Sequence, residues 1–187
     1  MNKPDWQHLA EASADQARAL HFLELLATTS AGPRLEKFSS DQLRIVVTVF
    51  SASPALGNLL VANPDWLAVL DLEQLKHPRR AQGFQREVER GLPPMINADD
   101  FASALSGLRR FKQREMLRIA ARDLARLGEV VEITREISDL ADVCLDTVGR
   151  ICRQQFTGRF GQPFHRDAEG NWQRTEFSVL GLGKLGG

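Results

Sequence analysis

Three glycines near the carboxyl end of the sequence have the spacing of a phosphate-binding turn. Gly181, Gly183 and Gly186 form a Gly-x-Gly-x-x-Gly pattern directly after residues 177–180, whose apolar side chains favour a short β-strand. Glycine has no Cβ, so the backbone N–H groups of such a turn can approach a phosphate closely. The pattern taken alone fits equally well a simple turn at the end of a strand, or a flexible tail.

Two familiar nucleotide-binding motifs do not fit around these glycines. A dinucleotide-binding domain needs a helix after the third glycine and an acidic residue roughly 20 positions further on, whereas the sequence stops at Gly187. A Walker loop places its lysine after the last glycine and before a Ser or Thr, whereas Lys184 lies between the glycines. The glycine pattern therefore needs support from the rest of the chain.

The composition predicts a mainly helical protein around this ending. The 187 residues contain 24 Lys and Arg against 24 Asp and Glu, so the net charge is zero and nucleic-acid binding through overall basic charge is not expected. Aromatic residues make up only 7%, and tyrosine is absent. Strand-rich proteins favour aromatic and β-branched residues, so this composition argues against an all-β fold.

Capping patterns mark several helix starts. Ser39 and Gln42 form a Ser-x-x-Gln capping box, and Ser53 and Asn63 each precede a proline at the first helical position. Apolar residues at spacings of three and four predict further helical segments. These segments are 15–27, 65–72, and two long helices or one kinked helix across 99–153.

Breaks in composition predict the domain organisation. A helical domain is expected over residues 1–156, with a sub-break near 91–98 where Gly and Pro interrupt the pattern. Residues 157–176 are rich in turn-forming residues and predict a loop or a small hairpin. Residues 177–187 then supply the strand and the glycine turn.

Neither membrane insertion nor secretion is expected. The sequence lacks the run of about 20 apolar residues that a membrane span needs, and its first residues do not form the apolar core of a secretory signal. Cys144 and Cys152 are eight residues apart in a predicted helix, about 12 Å along its axis, which is too far for a disulfide. These features predict a cytoplasmic protein.

Five arginines recur at every fourth position of the long helical stretch. They are Arg110, Arg114, Arg118, Arg122 and Arg126. One hypothesis is a basic face for nucleotide phosphate or an acidic partner. The alternative is a solvated helix face with Glu115–Arg118 and Asp123–Arg126 as i,i+3 pairs.

The acidic residues that follow are expected at the surface. They are Glu129, Glu132, Glu136, Asp139, Asp142 and Asp146. Their helical spacing could imitate a metal site, but no histidine accompanies them. We therefore assign no metal ligand and no catalytic residue.

Two blocks of the sequence resemble a known enzyme family. The segment Phe177–Gly187 is similar to the start of the nucleotidyltransferase core in the bifunctional glutamine synthetase adenylyltransferase/adenylyl-removing enzymes. The stretch Leu108–Leu124 is similar to the helix that precedes this core in the amino-terminal half of that family, and Asn63–Leu67 resembles the lead-in of the same half. The resemblance spans most of the chain.

The resemblance implies that adenylyl groups move on and off a tyrosine of glutamine synthetase. In this family the amino-terminal, adenylyl-removing half uses phosphate and releases ADP, while the other half attaches the group from ATP. It implies that the Gly-Gly pair contacts nucleotide phosphates and that two acidic residues about ten positions later hold Mg²⁺. The candidate nucleotide-binding residues are Gly181, Gly183, Lys184, Gly186, Gly187, Arg114 and Arg118.

The sequence departs from the family pattern because it stops before those acidic residues. We therefore expect an incomplete α/β nucleotidyltransferase core, a metal site outside this chain, and no activity of the chain by itself. The implied partners are glutamine synthetase, a nitrogen-signal regulator protein and the missing remainder of the enzyme. The alternative function is that of a non-catalytic helical module for protein interaction.

Overall fold

Helices account for most of the protein, which confirms the mainly α prediction. The computed structural model describes residues 4–179 and residue 181. The helices are α1 (Pro4–Glu11), α2 (Gln16–Ala27), α3 (Gly32–Leu35), α4 (Ser40–Ala52), α5 (Pro54–Ala62), a 3-10 helix (Pro64–Leu70), α6 (Leu72–Leu75), α7 (Ala81–Gly91), α8 (Pro93–Asn97), α9 (Phe101–Leu124) and α10 (Val130–Phe160). The strands are β1 (Phe164–Arg166) and β2 (Trp172–Arg174). No helix within the described residues is long and apolar enough to cross a bilayer.

The capping residues explain where several helices begin. Ser39 accepts a hydrogen bond of 3.3 Å from the backbone N–H of Gln42, whose side chain accepts one of 3.0 Å from the Ser39 N–H, so the predicted capping box is present. Ser53 caps α5 as predicted. The cap predicted at Asn63 is wrong, because its side chain donates to the carbonyl oxygen of Leu59 at 2.9 Å instead. Asn63 thus satisfies a carbonyl at the end of α5, where helices lack internal partners.

The chain forms two compact units, each built from two separate stretches of sequence. Unit 1 comprises residues 4–78 and 113–137 among those described. Its core lies between the first helices and the second half of α9, and the Phe22 and Phe50 rings pack at its centre with centroids 5.4 Å apart. Fully buried leucines belong to the same core; they include Leu23, Leu26, Leu60, Leu67 and Leu70. Burying each such side chain contributes about 1.5–3 kcal/mol.

Unit 2 comprises residues 79–112, 138–179 and 181 among those described. Buried Phe84 of α7 packs edge-to-face on Phe111 of α9, with ring centroids 6.2 Å apart. The Asp139 carboxylate accepts a hydrogen bond of 3.3 Å from the backbone N–H of Ala81. This bond satisfies one of the free N–H groups at the start of α7.

A two-stranded antiparallel hairpin follows α10 in unit 2. Phe164 pairs with Arg174 and Arg166 pairs with Trp172, and both strands are exposed. Asp167 organises the turn by accepting backbone hydrogen bonds from Glu169 at 3.1 Å and Asn171 at 2.8 Å. Residues 157–176 therefore contain the hairpin that was one of the two predicted alternatives, after a helix that continues to Phe160.

The strand predicted from Phe177 is not present over residues 177–179. A strand needs a neighbour that pairs with its backbone groups. Within the described residues the sheet is limited to the two strands of the hairpin, so this segment is not paired. Leu180, the last residue of the predicted strand, lies outside the described residues.

Candidate functional site

The first glycine of the motif lies at an open cavity of unit 2. Gly181 is exposed and lines a cavity of about 410 Å³ with residues of α10 and with Phe177 and Val179. The other predicted residues of the motif, Gly183, Lys184, Gly186 and Gly187, lie outside the described residues. The structure thus places the entry to the glycine turn beside α10.

The α10 side of this cavity carries both signs of charge. Asp142, Asp146, Arg150 and Arg153 line it, because residues three and four apart share one side of a helix. Arg150 forms an ion pair with Asp146 at 3.2 Å, and both side chains are more than half exposed. An exposed i,i+4 pair of this kind contributes only about 0.3–0.5 kcal/mol.

An apolar groove of about 560 Å³ adjoins this cavity and shares Gly149, Arg153 and Phe177 with it. The Phe156 and Phe160 rings stack with centroids 5.9 Å apart and form part of its wall. Both rings are more than half exposed. The helical pattern predicted to end near Arg153 does not include this wall, because α10 continues to Phe160. The recurrence of Cys152, Phe156 and Phe160 at i, i+4 and i+8 is the signal that identifies it.

Arg114 and Arg118, the other predicted nucleotide-binding residues, lie in unit 1 in a cluster of charged side chains. Arg118 Nε donates to Glu115 Oε2 at 2.8 Å, and Arg118 Nη2 pairs with Glu136. Arg114 Nη2 donates to the other Glu115 oxygen at 2.8 Å. Arg122 completes the cluster with three hydrogen bonds. It donates to a carboxylate oxygen of Glu136, to Glu132 Oε2 at 2.8 Å, and to the carbonyl oxygen of Leu75 at 2.8 Å.

The cluster shows that some of the arginines and glutamates predicted at the surface of the helices are buried. A solvated face is wrong for Arg118 and Arg122, whose side chains are at most 3% exposed, and a surface position is wrong for Glu136, which is fully buried. The Glu115–Arg118 pair predicted with that face is present, whereas the described residues Asp123 and Arg126 form no ion pair with each other. Burying a single charge is costly, and opposite charges with good hydrogen bonds offset that cost. The contacts of Arg118 are those of a residue that holds helices together. A nucleotide contact for Arg114 or Arg118 stays a prediction.

The remaining reactive side chains do not assemble a catalytic group in the part of the chain that the structure describes. The cysteines are free, and burial raises the pKa of the Cys144 thiol, with the charge of Lys112 acting in the opposite direction. His165 Nδ1 lies 3.1 Å from Thr175 Oγ1 on the exposed hairpin. No group of three or more His, Cys, Asp or Glu residues that could hold a metal ion occurs among the described residues.

Comparison with known proteins identifies the family. No solved structure matches the chain. The family model described as glutamate-ammonia ligase adenylyltransferase matches residues 43–187, which is more than three quarters of the sequence. The match includes the arginine-rich half of α9, all of α10 and the glycine motif. The chain therefore belongs to the glutamate-ammonia ligase adenylyltransferase family.

Proposed function

We propose that this chain is the helical amino-terminal portion, including the start of the nucleotidyltransferase core, of an enzyme that moves adenylyl groups on and off glutamine synthetase. The family match over residues 43–187 carries this proposal, because it includes both the helical stretch and the glycine motif. The order of these two blocks resembles the adenylyl-removing half. Phosphorolytic removal of the adenylyl group, with release of ADP, is the reaction that this half would serve.

The glycine motif is the proposed phosphate-binding element. Gly181 supports this role through its place at a cavity lined by Arg150 and Arg153, with Asp142 and Asp146 on the same side of α10. Gly183, Lys184, Gly186 and Gly187 complete the proposed site, which would take ATP or ADP. Phosphoryl-type transfer depends mainly on positioning and charge neutralisation, for which Mg²⁺ serves in this superfamily. The proposed acidic ligands of Mg²⁺ belong to the remainder of the enzyme.

We further propose that the chain is inactive by itself and acts with the remainder of the enzyme. Phe177 and Val179, which adjoin Gly181, are 72% and 54% exposed. Large apolar side chains exposed together mark surfaces that another polypeptide covers. The proposed further partners are glutamine synthetase and a nitrogen-signal regulator protein, in the cytoplasm.

Complementation tests this proposal. The purified chain, supplied with Mg²⁺, phosphate and adenylylated glutamine synthetase, is expected to release no ADP, and release is expected after addition of a separately produced polypeptide that carries the remainder of the enzyme. ADP release by the chain alone would contradict the proposed inactivity. Stable binding of glutamine synthetase without any activity of the mixture would favour the non-catalytic interaction module instead.

A further inference from the structure

The hairpin of unit 2 presents four large side chains on one of its faces. They belong to Phe164, Arg166, Trp172 and Arg174, which lie opposite each other in the two strands. Because side chains alternate along a strand, these four lie on the same side of the hairpin. We call this side the outer face, since Pro163 and Thr175, at the alternate positions, line the apolar groove at the end of α10 instead. All four residues of the outer face are exposed.

The charge of the outer face is positive. The Arg166 guanidinium lies over the Trp172 ring, 5.0 Å from its centroid, and neither Arg166 nor Arg174 forms an ion pair with any residue that the structure describes. The acidic residues nearest in the sequence are engaged elsewhere. Asp167 accepts the hydrogen bonds of the turn, and Glu176 lines the groove at the end of α10. The outer face therefore favours a partner that carries negative charge.

The backbone at the edges of the hairpin is open to a further strand. The N–H of Thr175 donates to the carbonyl oxygen of Pro163, and the N–H of Asp167 donates to that of Asn171, both at 3.0 Å. Hydrogen-bonded and non-hydrogen-bonded pairs alternate in an antiparallel ladder, so the outer-face pairs 164–174 and 166–172 are of the second type. Their N–H and C=O groups point away from the partner strand. The described residues contain no third strand of this sheet.

These two features together define the chemistry of the partner. An extended segment that pairs with an edge of the hairpin places every second side chain on the outer face. Acidic side chains there would meet Arg166 and Arg174, and apolar ones would pack on Phe164 and Trp172. A second copy of the hairpin would bring the arginines of both copies onto one face, where like charges repel. A nucleic acid would bind through its phosphates and leave the open backbone groups unused.

We propose that the outer face and one edge of the hairpin bind an extended acidic segment of another protein, which adds to the hairpin as an antiparallel third strand. A hairpin of two strands is only marginally stable in water, and a third strand stabilises it. The segment is expected to carry acidic and apolar side chains at every second position. This inference goes beyond the proposed function, because it depends neither on the glycine motif nor on nucleotide chemistry.

Tryptophan fluorescence of the 187-residue chain tests this surface. Trp6 and Trp66 are at most 8% exposed and Trp172 is 64% exposed, so quenching by acrylamide reports mainly on Trp172. The probe is a blocked peptide with the sequence Glu-Thr-Val-Thr-Glu-Thr-Val, and its binding is expected to reduce the quenching. The same peptide with Lys in place of Glu should bind at least about tenfold more weakly. In the proposed pairing the N–H groups of Glu and Val face the hairpin. N-methylation of these residues should therefore abolish binding, whereas N-methylation of the Thr residues should not.

A pair of double variants separates the outer face from general charge. Arg166→Gln combined with Arg174→Gln is expected to weaken binding of the Glu peptide about tenfold, because it removes both positive charges of the outer face. Arg44→Gln combined with Arg135→Gln removes two exposed charges from unit 1 and should leave the affinity unchanged within about twofold. The NMR signal of the Asn171 amide shows whether the turn persists in each variant. Lysine at positions 166 and 174 should retain part of the affinity.

The proposal is overturned if the Glu and Lys peptides bind equally, if N-methylation of Glu and Val has no effect, or if the two double variants weaken binding to the same extent. Tighter binding of oligothymidylate than of the Glu peptide would assign the outer face to nucleic acid instead. Self-association of the chain that is lost in the variant of positions 166 and 174 would assign it to a second copy. Loss of peptide binding on addition of the remainder of the enzyme would assign it to that polypeptide. ADP release in the complementation experiment tests the proposed function separately from all of these outcomes.

Discussion

Arg118 of α9 and Glu136 of α10 form an ion pair in which neither side chain is more than 3% exposed. Their positions are 18 residues apart, on either side of the turn between the two helices. Glu136 also pairs with Arg122, which reaches the backbone of Leu75 at the end of α6. The pair therefore belongs to a network that joins three helices of unit 1.

Replacement of Arg118 is expected to destabilise unit 1. Arg118→Ala leaves the buried carboxylates of Glu115 and Glu136 with fewer partners, and breaking a buried pair typically costs about 3–5 kcal/mol. Urea unfolding followed by circular dichroism measures this loss. Arg44→Ala, on the exposed side of α4, is the control and is expected to change the free energy of unfolding by less than about 0.5 kcal/mol. Equal effects of the two variants would show that burial of Arg118 contributes no stability.

Glycine at position 126 is expected to stabilise the protein. Arg126 has φ of 55°, in the left-handed region that disfavours side chains, and the N–H of Leu127 donates to the carbonyl oxygen of Arg122 at 2.8 Å across this turn. Arg126→Gly should raise the free energy of unfolding by up to about 1 kcal/mol. Arg126→Ala, which keeps a Cβ there, should give no gain. A gain from alanine equal to that from glycine would argue against backbone strain.

Gly57 of α5 permits close approach to an aromatic ring. A Cβ at this position would lie 2.6 Å from ring atoms of Phe22, so Gly57→Ala should force the core of unit 1 apart and cost about 1–3 kcal/mol. Gly158 in α10 has open space around its Cβ position. Gly158→Ala is therefore expected to stabilise the helix, by about 0.5–1 kcal/mol. Thermal melting should show a lower melting temperature for Gly57→Ala and a higher one for Gly158→Ala. A stabilised Gly57→Ala variant would contradict the packing argument.

The hairpin is expected to weaken in acid because of Asp167. Hydrogen bonds from the Gln173 side chain and the Asn171 backbone hold the pKa of the Asp167 carboxyl below its ordinary value. A carboxyl whose pKa is lower in the folded state stabilises the fold above the unfolded pKa of about 4. That contribution is lost as the pH falls through the lower, folded value. NMR chemical shifts of the Asn171 amide during an acid titration measure the effect.

Asp167→Asn is the control for the acid titration. It lacks the titrating carboxylate, so its hairpin signals should not change in the acidic range where those of the parent chain do. A parallel loss of the hairpin in both proteins would assign the acid sensitivity to another group.

The two cysteines should differ in reactivity. Thiol reagents attack the thiolate, and burial raises the pKa of Cys144, whereas Cys152 is only partly buried and lines the groove. Mass spectrometry after brief alkylation at pH 8 should find modification at Cys152 before Cys144. Denaturation in urea should make the alkylation rates of Cys144 and Cys152 equal. Equal alkylation rates in the folded protein would contradict the prediction, because they would mean that Cys144 is accessible.

The sequence predicted the helices better than it predicted which charges are buried. Caps such as Ser39 act through atoms three residues away, so their effect is visible in a short window of sequence. The partners of Arg118 and Arg122 include a glutamate on a different helix, and no local pattern identifies that partner. A repeat of arginines every four residues is common to solvated faces and to buried ion networks. Only the tertiary fold distinguishes these two environments.

For a similar reason, only the local features of the candidate site are visible in the sequence. The glycine pattern is local, and it led to the cavity at Gly181. The aromatic wall was missed because α10 continues seven residues beyond the predicted end at Arg153. The added turns bring Phe156 and Phe160 to the same cavity as Phe177, and periodicity alone does not predict that segments about 20 residues apart share a cavity.

The turn at Arg126 also limits how this part of the chain can vary in length. Residues 125–129 join α9 to α10, and each residue added to or removed from this joint would rotate the following helix by about 100° relative to the preceding one. Glu136 would then face away from Arg118 and Arg122. Homologues that keep this ion network should therefore keep the joint at the same length, even where its residues differ.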